Sequence, residues 1–308
     1  MNMEKINPGT GQMFVGVPVP ASTGQRKPRL ALMGEFSAGK STLANLLAGG
    51  QHLPVQVTAT QLPPVWLSYG IAPAYRIDLQ GKTIPVSLAR LEDVPIAETA
   101  YIRIFEQSET LALCDIIDMP GISDPNMSAN VWQRVLPEAD GVIWCTHATQ
   151  AWRQSESAIW ATMTAELQQR SLLLLTRIDK ILVERDRQRI VKRVNKETEG
   201  LFSGPCLSIS LTRSLAATGD PAALAAAGTT AFFDQLTRLV QTISQGLGLL
   251  NVQLPAGPDD PNAAQAIPII PRRIRSEMAN SALTPRPALG SVDPDIAAFQ
   301  AMARGGNG

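Results

Sequence analysis

Apolar residues along the chain fall into short unbroken runs separated by polar, glycine-bearing stretches. The runs RLALMG (29–34), GVIWCTHA (141–148) and SLLLLTRID (171–179) lack the alternation of a half-exposed strand and predict strands covered on both faces. Between the runs the period lengthens. Leu43, Leu46 and Leu47 within 39–48, Ile159, Trp160, Met163 and Leu167 within 155–168, and Phe232, Phe233, Leu236, Leu239, Val240 and Ile243 within 231–245 recur at helical spacing. Gly49-Gly50 supplies a helix stop, and a highly charged helix is predicted over 184–199. PPVWLSYG, YIRIFEQ, LALCDIID and PCLSISL add strands, and AYRIDLQGKTIPVSL predicts a hairpin around Gln80-Gly81. Alternation of strand and helix predicts an α/β fold: a mostly parallel sheet with helices on both faces and one antiparallel hairpin.

The pattern also divides the chain. Residues 1–28 show no sustained period and are expected to be a flexible arm before a domain at 29–250. From 251 to 308 prolines recur too closely for a regular element, so a disordered tail is expected. Within it Asp293 and Pro294 could open a short helix over 293–304 with Ile296, Phe299 and Met302 on one face, too short to be stable alone.

Composition narrows the function classes. Hydrophobic residues are 44% of the 308, and 27 basic residues balance 27 acidic ones. No nucleic-acid partner is expected from a neutral chain. Three cysteines and two histidines form no close cluster, so a zinc site is not expected, and Cys114, Cys145 and Cys206 read as buried thiols in a reducing compartment. No apolar run approaches the ~18 residues of a membrane span, and the N-terminus lacks the layout of a signal peptide. A cytoplasmic location is expected.

The sharpest chemistry lies at Gly34-Glu35-Phe36-Ser37-Ala38-Gly39-Lys40-Ser41, which follows a predicted strand and opens a predicted helix. A tight loop there turns successive backbone N–H groups inward as an anion cradle, and the glycines permit positive φ and close approach. The helix start aims its positive end at phosphates, Lys40 can reach the β- and γ-phosphates, and the Ser41 hydroxyl can ligate Mg²⁺. Asp118 and Gly121 of DIIDMPG follow another strand end. There a carboxylate can hold a Mg²⁺-bound water and a glycine N–H can meet the γ-phosphate. After the next strand but one, Asp179 of TRID can accept both N1–H and the exocyclic amine of guanine, a donor pair adenine lacks. Arg177 would lay its stem along the base. These residues together point to GTP. Between the first two motifs, Thr58 and Thr60 both qualify as the γ-phosphate sensor, with Thr60 preferred.

GEFSAGKSTLANLL, DMPG and TRID together resemble the GTPase domain of dynamin-like proteins, bacterial ones especially, over roughly residues 29–250. LPVQVTATQLPPVWLSYG resembles the family's first switch. The resemblance implies a P-loop GTPase fold hydrolysing GTP to GDP and phosphate with Mg²⁺, stimulated when two GTPase domains meet across their nucleotides. By position it makes Ser37, Lys40 and Thr60 catalytic. It assigns GTP contacts to Gly34, Ser37, Ala38, Gly39, Lys40, Ser41, Thr42, Gly121, Thr176, Arg177, Asp179, Ser210 and Thr212, and Mg²⁺ ligation to Ser41, Thr60 and Asp118. Ile122 stands where small GTPases carry a water-positioning glutamine. Trp152 and Arg153 are candidates for a dimer contact. Residues 251–308 are not expected to build the family's helical stalk, so a separate partner carrying the membrane or cytoskeletal contact is expected. A homodimer through the GTPase domain is what the resemblance implies. The alternative is a low-turnover GTP switch or scaffold that recruits an effector.

Overall fold

A computed structural model describes residues 26–50, 53, 62–124, 130–216 and 220–249. The predicted arm up to residue 25, Thr58, Thr60 and the tail with its predicted helix at 293–304 lie outside the described residues.

In chain order the described elements are β1 (Arg29–Met33), α1 (Lys40–Ala48), β2 (Val65–Tyr69), β3 (Tyr75–Asp78), β4 (Thr83–Pro85), β5 (Thr99–Glu106), α2 (Glu109–Leu113), β6 (Asp115–Asp118), α3 (Asn130–Gln133) and β7 (Gly141–His147). There follow α4 (Gln154–Trp160), α5 (Ala165–Gln169), β8 (Ser171–Thr176), α6 (Glu184–Glu197), β9 (Leu207–Ser208), α7 (Leu211–Ala216), α8 (Pro221–Ala226) and α9 (Thr229–Leu247). The strands form one nine-stranded sheet in the order β4-β3-β5-β2-β6-β1-β7-β8-β9. The run β6-β1-β7-β8-β9 is parallel throughout. β2 joins β6 antiparallel and β5 lies parallel to β2. The β3–β4 hairpin, turning at Gln80-Gly81 as predicted, extends that edge by antiparallel pairing to β5.

Strand residues alternate between two cores, as a period of two requires. Leu30, Leu32, Ile143, Cys145, Leu172 and Leu174 face the side covered by α1 and α9. Ala31, Met33, Val142, Trp144, Leu173 and Leu175 face the other, with Trp160 of α4 and Val194 of α6. Because both faces are covered, the central strands read as continuous apolar runs. The three cysteines are buried on this scaffold, and burial pushes each thiol up to about 12.

Three elements differ from expectation. Leu111–Leu113, predicted as the start of a strand, belong to α2, where the Ser108 side chain caps the Leu111 N–H. Only Asp115–Asp118 pair in the sheet. The predicted helix over 155–168 is two helices, because Thr164 turns extended at φ −67°, ψ 152° and caps α5 through Leu167 N–H. The strand in PCLSISL shortens to Leu207–Ser208, since it pairs only at the sheet's edge.

At the amino ends of the parallel strands, charged side chains tie the incoming chain down. Arg26 pairs with Asp140 at 2.6 Å, Lys27 with Asp115 at 3.0 Å and Arg29 with Glu138 at 2.7 Å. The Trp66 indole N–H donates to Asp115 at 3.0 Å, and the guanidinium groups of Arg29 and Arg103 lie 4.8 and 4.9 Å from its ring centre. The opposite, carboxyl edge is left to the loops that carry the motifs.

Candidate functional site

The loop after β1 is shaped by what it must pass. Gly34 has φ 138°, and a methyl group there would lie 2.0 Å from the Cys145 carbonyl oxygen of β7. Only glycine fits. Ser37 is left-handed at φ 61° and Gly39 at φ 86°, so the chain coils tightly before α1 begins at Lys40. Successive backbone conformations of this kind bring N–H groups to one concave side, where an anion can sit. Gly121, on the loop after β6, presses against the same coil: a methyl group there would meet Phe36 Cα and N at 2.9 Å. Ile122 N–H donates to the Gly34 carbonyl at 3.2 Å, and Phe36 N–H to the Ser123 hydroxyl at 3.3 Å.

Lys40 is buried and donates to the carbonyl oxygens of Gly34 at 3.1 Å and Glu35 at 2.8 Å. Burial lowers its pKa, opposed chiefly by the Asp118 carboxylate. Ser41 on the first turn of α1 donates to Asp118 Oδ2 at 2.6 Å. Burial raises Asp118 to about 6 against the Ser41 hydrogen bond and Lys40, which both pull it down. Its other oxygen, Oδ1, is buried with no hydrogen-bond partner. A serine hydroxyl beside a buried carboxylate with a spare oxygen is the hard-oxygen donor set that Mg²⁺ takes. Thr42 follows Ser41 within the same turn.

β8 brings the third motif to this edge. Thr176 is fully buried and its hydroxyl donates to the carbonyl of Ala38 at 2.8 Å and approaches that of Thr146 at 3.2 Å. It thus staples the phosphate loop to β7 and β8. Arg177 is exposed and left-handed at φ 53°, which turns the chain so that Asp179 follows on a short 3₁₀ turn. Asp179 Oδ1 accepts from the Ser210 hydroxyl at 2.7 Å. Ser210, buried just before α7, therefore orients the carboxylate proposed to read a base, while Thr212 in the first turn of α7 is exposed.

Sequence reasoning missed a second layer on the outer side of the loop. A cleft of about 440 Å³ there is bordered by Glu35, Phe36, Ser37, His147, Arg153 and Arg177 among others. Arg153 Nη1 donates to Glu35 Oε2 at 2.7 Å, and the Ser155 hydroxyl donates to Glu35 Oε1. Glu156, buried beneath, accepts from Trp144 Nε1, Thr146 Oγ1 and Arg153 N, each at 2.9 Å. Burial raises its pKa against those donors. The signal was an Arg-x-Ser-Glu stretch just past β7, but its partner Glu35 lies 118 residues earlier than Arg153. Trp152, a dimer-contact candidate, is instead buried: its ring packs edge-on against Trp144 and Phe202, so it cannot reach a second molecule. His147 has its pKa lowered by burial and by Arg177 and Arg153, and its Nδ1 accepts from the Thr149 N–H, a capping role.

Comparison with known proteins adds likenesses to one family. Residues 30–178 match the model of the Dynamin family. Dynamin-like protein 2 of Campylobacter jejuni is 25% identical over 161 residues, which is 50% of this chain and 26% of that protein. Two structures of an oligomerised bacterial dynamin pair, described as sensing and tethering membranes at long range, share the fold with TM-scores of 0.54. They are 20% and 18% identical to this chain, cover 72% and 73% of it, and are themselves covered to 40% and 48%. The chain thus spans about a quarter of the curated relative's length and less than half of either solved chain.

Proposed function

We propose that this chain, whose residues 30–178 match the Dynamin family model, is a dynamin-like GTPase that binds GTP with Mg²⁺ and hydrolyses it to GDP and phosphate. One observation carries the reading. On a single carboxyl edge, Ser41 meets Asp118 across from Lys40, and Asp179 meets Ser210, so phosphate-side and base-side groups stand on loops locked to one sheet.

In this reading the resemblance distributes the roles over those loops. Backbone N–H groups from Gly34 through Thr42 cradle the phosphates, with Ala38 and Gly39 at the bend. Lys40, now spent on two carbonyls, turns to the β- and γ-phosphate oxygens when they arrive. Ser41 and Asp118 would hold Mg²⁺, with Thr60 or Thr58 of the first switch as the further ligand, and the bound ion would supply charge neutralisation at the phosphates. Gly121 N–H faces the γ-phosphate. Ser37 and the switch threonine orient the attacking water, whose oxygen bonds the γ-phosphorus as the bond to the β-bridging oxygen breaks; the water's proton passes to a γ-phosphate oxygen or to solvent, and the bridging oxygen leaves on GDP. Asp179 reads guanine, with Arg177 along the base and Ser210 and Thr212 beside it.

Ile122 is half-buried and packs against the core beneath the loop, so no side chain at that position orients water. This favours stimulation from a second GTPase domain. The same observation supports the second reading, a switch with negligible turnover. Among the described residues no helix is long and apolar enough to cross a membrane.

The test is a titration with fluorescent guanine nucleotides in magnesium buffer. Saturable uptake that Asp179→Asn converts toward xanthine nucleotides is the expected result, with roughly 100-fold or greater loss of GTP preference, as for a lost specific hydrogen-bond acceptor. Absence of uptake by the unsubstituted protein removes the reading.

A further inference from the structure

We propose that Arg153 is a positioning residue for the phosphate loop: its guanidinium neutralises and pins Glu35, so that a loop bearing its own carboxylate can accept a polyphosphate. The proposal rests on the GTP-binding reading above.

Glu35 is part of the phosphate loop, between Gly34 and Phe36, with its side chain on the loop's outer side. A carboxylate there opposes the charge of an incoming triphosphate unless a cation holds it. Both of its oxygens are engaged from α4, Oε2 by Arg153 at 2.7 Å and Oε1 by Ser155. Its main-chain carbonyl meanwhile accepts from Lys40 at 2.8 Å. Residue 35 therefore joins the lysine that must move to the phosphates with the arginine that stays.

Arg153 is placed for this by a rigid mount. Trp152 is left-handed at φ 56° within the aromatic cluster, and its N–H donates to Thr146 Oγ1 at 2.9 Å. Arg153 N–H donates to the buried Glu156 at 2.9 Å, which is itself held by Trp144 and Thr146 of β7. The same strand supplies the Cys145 carbonyl against which Gly34 is packed. Loop and mount are thus registered on one strand, and the ion pair closes the gap between them. The Arg153 side chain is 42% exposed and that of Glu35 13%. A pair this open adds little to folding stability, so its loss is expected to be read in ligand affinity.

The experiment measures dissociation constants of fluorescent GDP and GTP analogues for the full chain, for Arg153→Gln, Arg153→Lys, and the double variant Glu35→Gln/Arg153→Gln, at low and high salt. Arg153→Gln is expected to weaken GTP on the order of tenfold, and GDP less, with the loss shrinking as salt rises. Arg153→Lys keeps the charge and most of the affinity. The double variant recovers toward the unsubstituted protein, because no carboxylate is left to repel the phosphates. Two results overturn the proposal: Arg153→Gln binding like the parent, or a double variant as weak as Arg153→Gln, which would make Arg153 a packing residue only. Failure of the unsubstituted chain to bind either nucleotide is a different result and refutes the GTP reading instead.

Discussion

At the scale of single residues, the phosphate loop is held by contacts that leave no room for a side chain. Gly34→Ala would set a methyl group 2.0 Å from the Cys145 carbonyl at φ 138°, so β1 and β7 must part or the loop must refold. The expected cost is about 3 kcal/mol or more, with loss of nucleotide binding, read as a shifted urea midpoint and a flat titration. A stability equal to the parent's would show that the loop is not seated against β7. Gly121 makes a similar contact with Phe36 N and Cα at 2.9 Å. These residues were legible in the chain as glycines of a phosphate-loop pattern. Which carbonyl or loop each presses against was not, because Gly34 and Cys145 are distant in sequence and meet only through the parallel pairing of β1 with β7. Glu35 shows the same limit more sharply: nothing in its neighbourhood announces that Arg153 neutralises it.

At the scale of elements, capping decided where sequence periodicity misled. The leucines of LALCDIID continue an apolar run into β6, and the run alone reads as strand. Ser108 overrides it. Its hydroxyl oxygen accepts from Leu111 N–H at 3.1 Å and its own O–H donates to the Leu47 carbonyl at 2.9 Å, joining the start of α2 to the end of α1. Ser108→Ala removes both bonds at a fully buried position. It should cost about 1–2 kcal/mol in chemical denaturation; a cost near zero would mean that water or a neighbour replaces the hydroxyl. The split between α4 and α5 has a similar cause: Thr164 starts a new helix inside a stretch whose apolar spacing runs straight through. By contrast α1 and α9 were legible, since each ends on a left-handed glycine, Gly49 or Gly248, and carries its apolar stripe into the core.

At the scale of the whole molecule, one sheet gathers loops from β1, β6 and β8 at its carboxyl edge while ion pairs seal the amino edge. Ile122 is half-buried and apolar, and under the proposed dimer-stimulated reading turnover depends on assembly. Specific GTPase activity is expected to rise several-fold with protein concentration, in step with a nucleotide-dependent dimer seen by light scattering. Flat activity near background across the series would favour the switch reading over dimer-stimulated hydrolysis.

The division between chain and fold has a physical basis. Local spacing determined most of the buried strands, where the phosphate loop opens a helix, and that one carboxylate ends β6 and another follows β8. Each of these depends on neighbours within a few residues, and alternation or helical period records such neighbours directly. Strand order, the antiparallel entry of β2 beside β6, the burial of Trp152, the Ser210 hydrogen bond that aims Asp179 and the Arg153 pairing of Glu35 were decided only in three dimensions. They join residues far apart in the chain, and one-dimensional periodicity carries no information about which distant surfaces will meet.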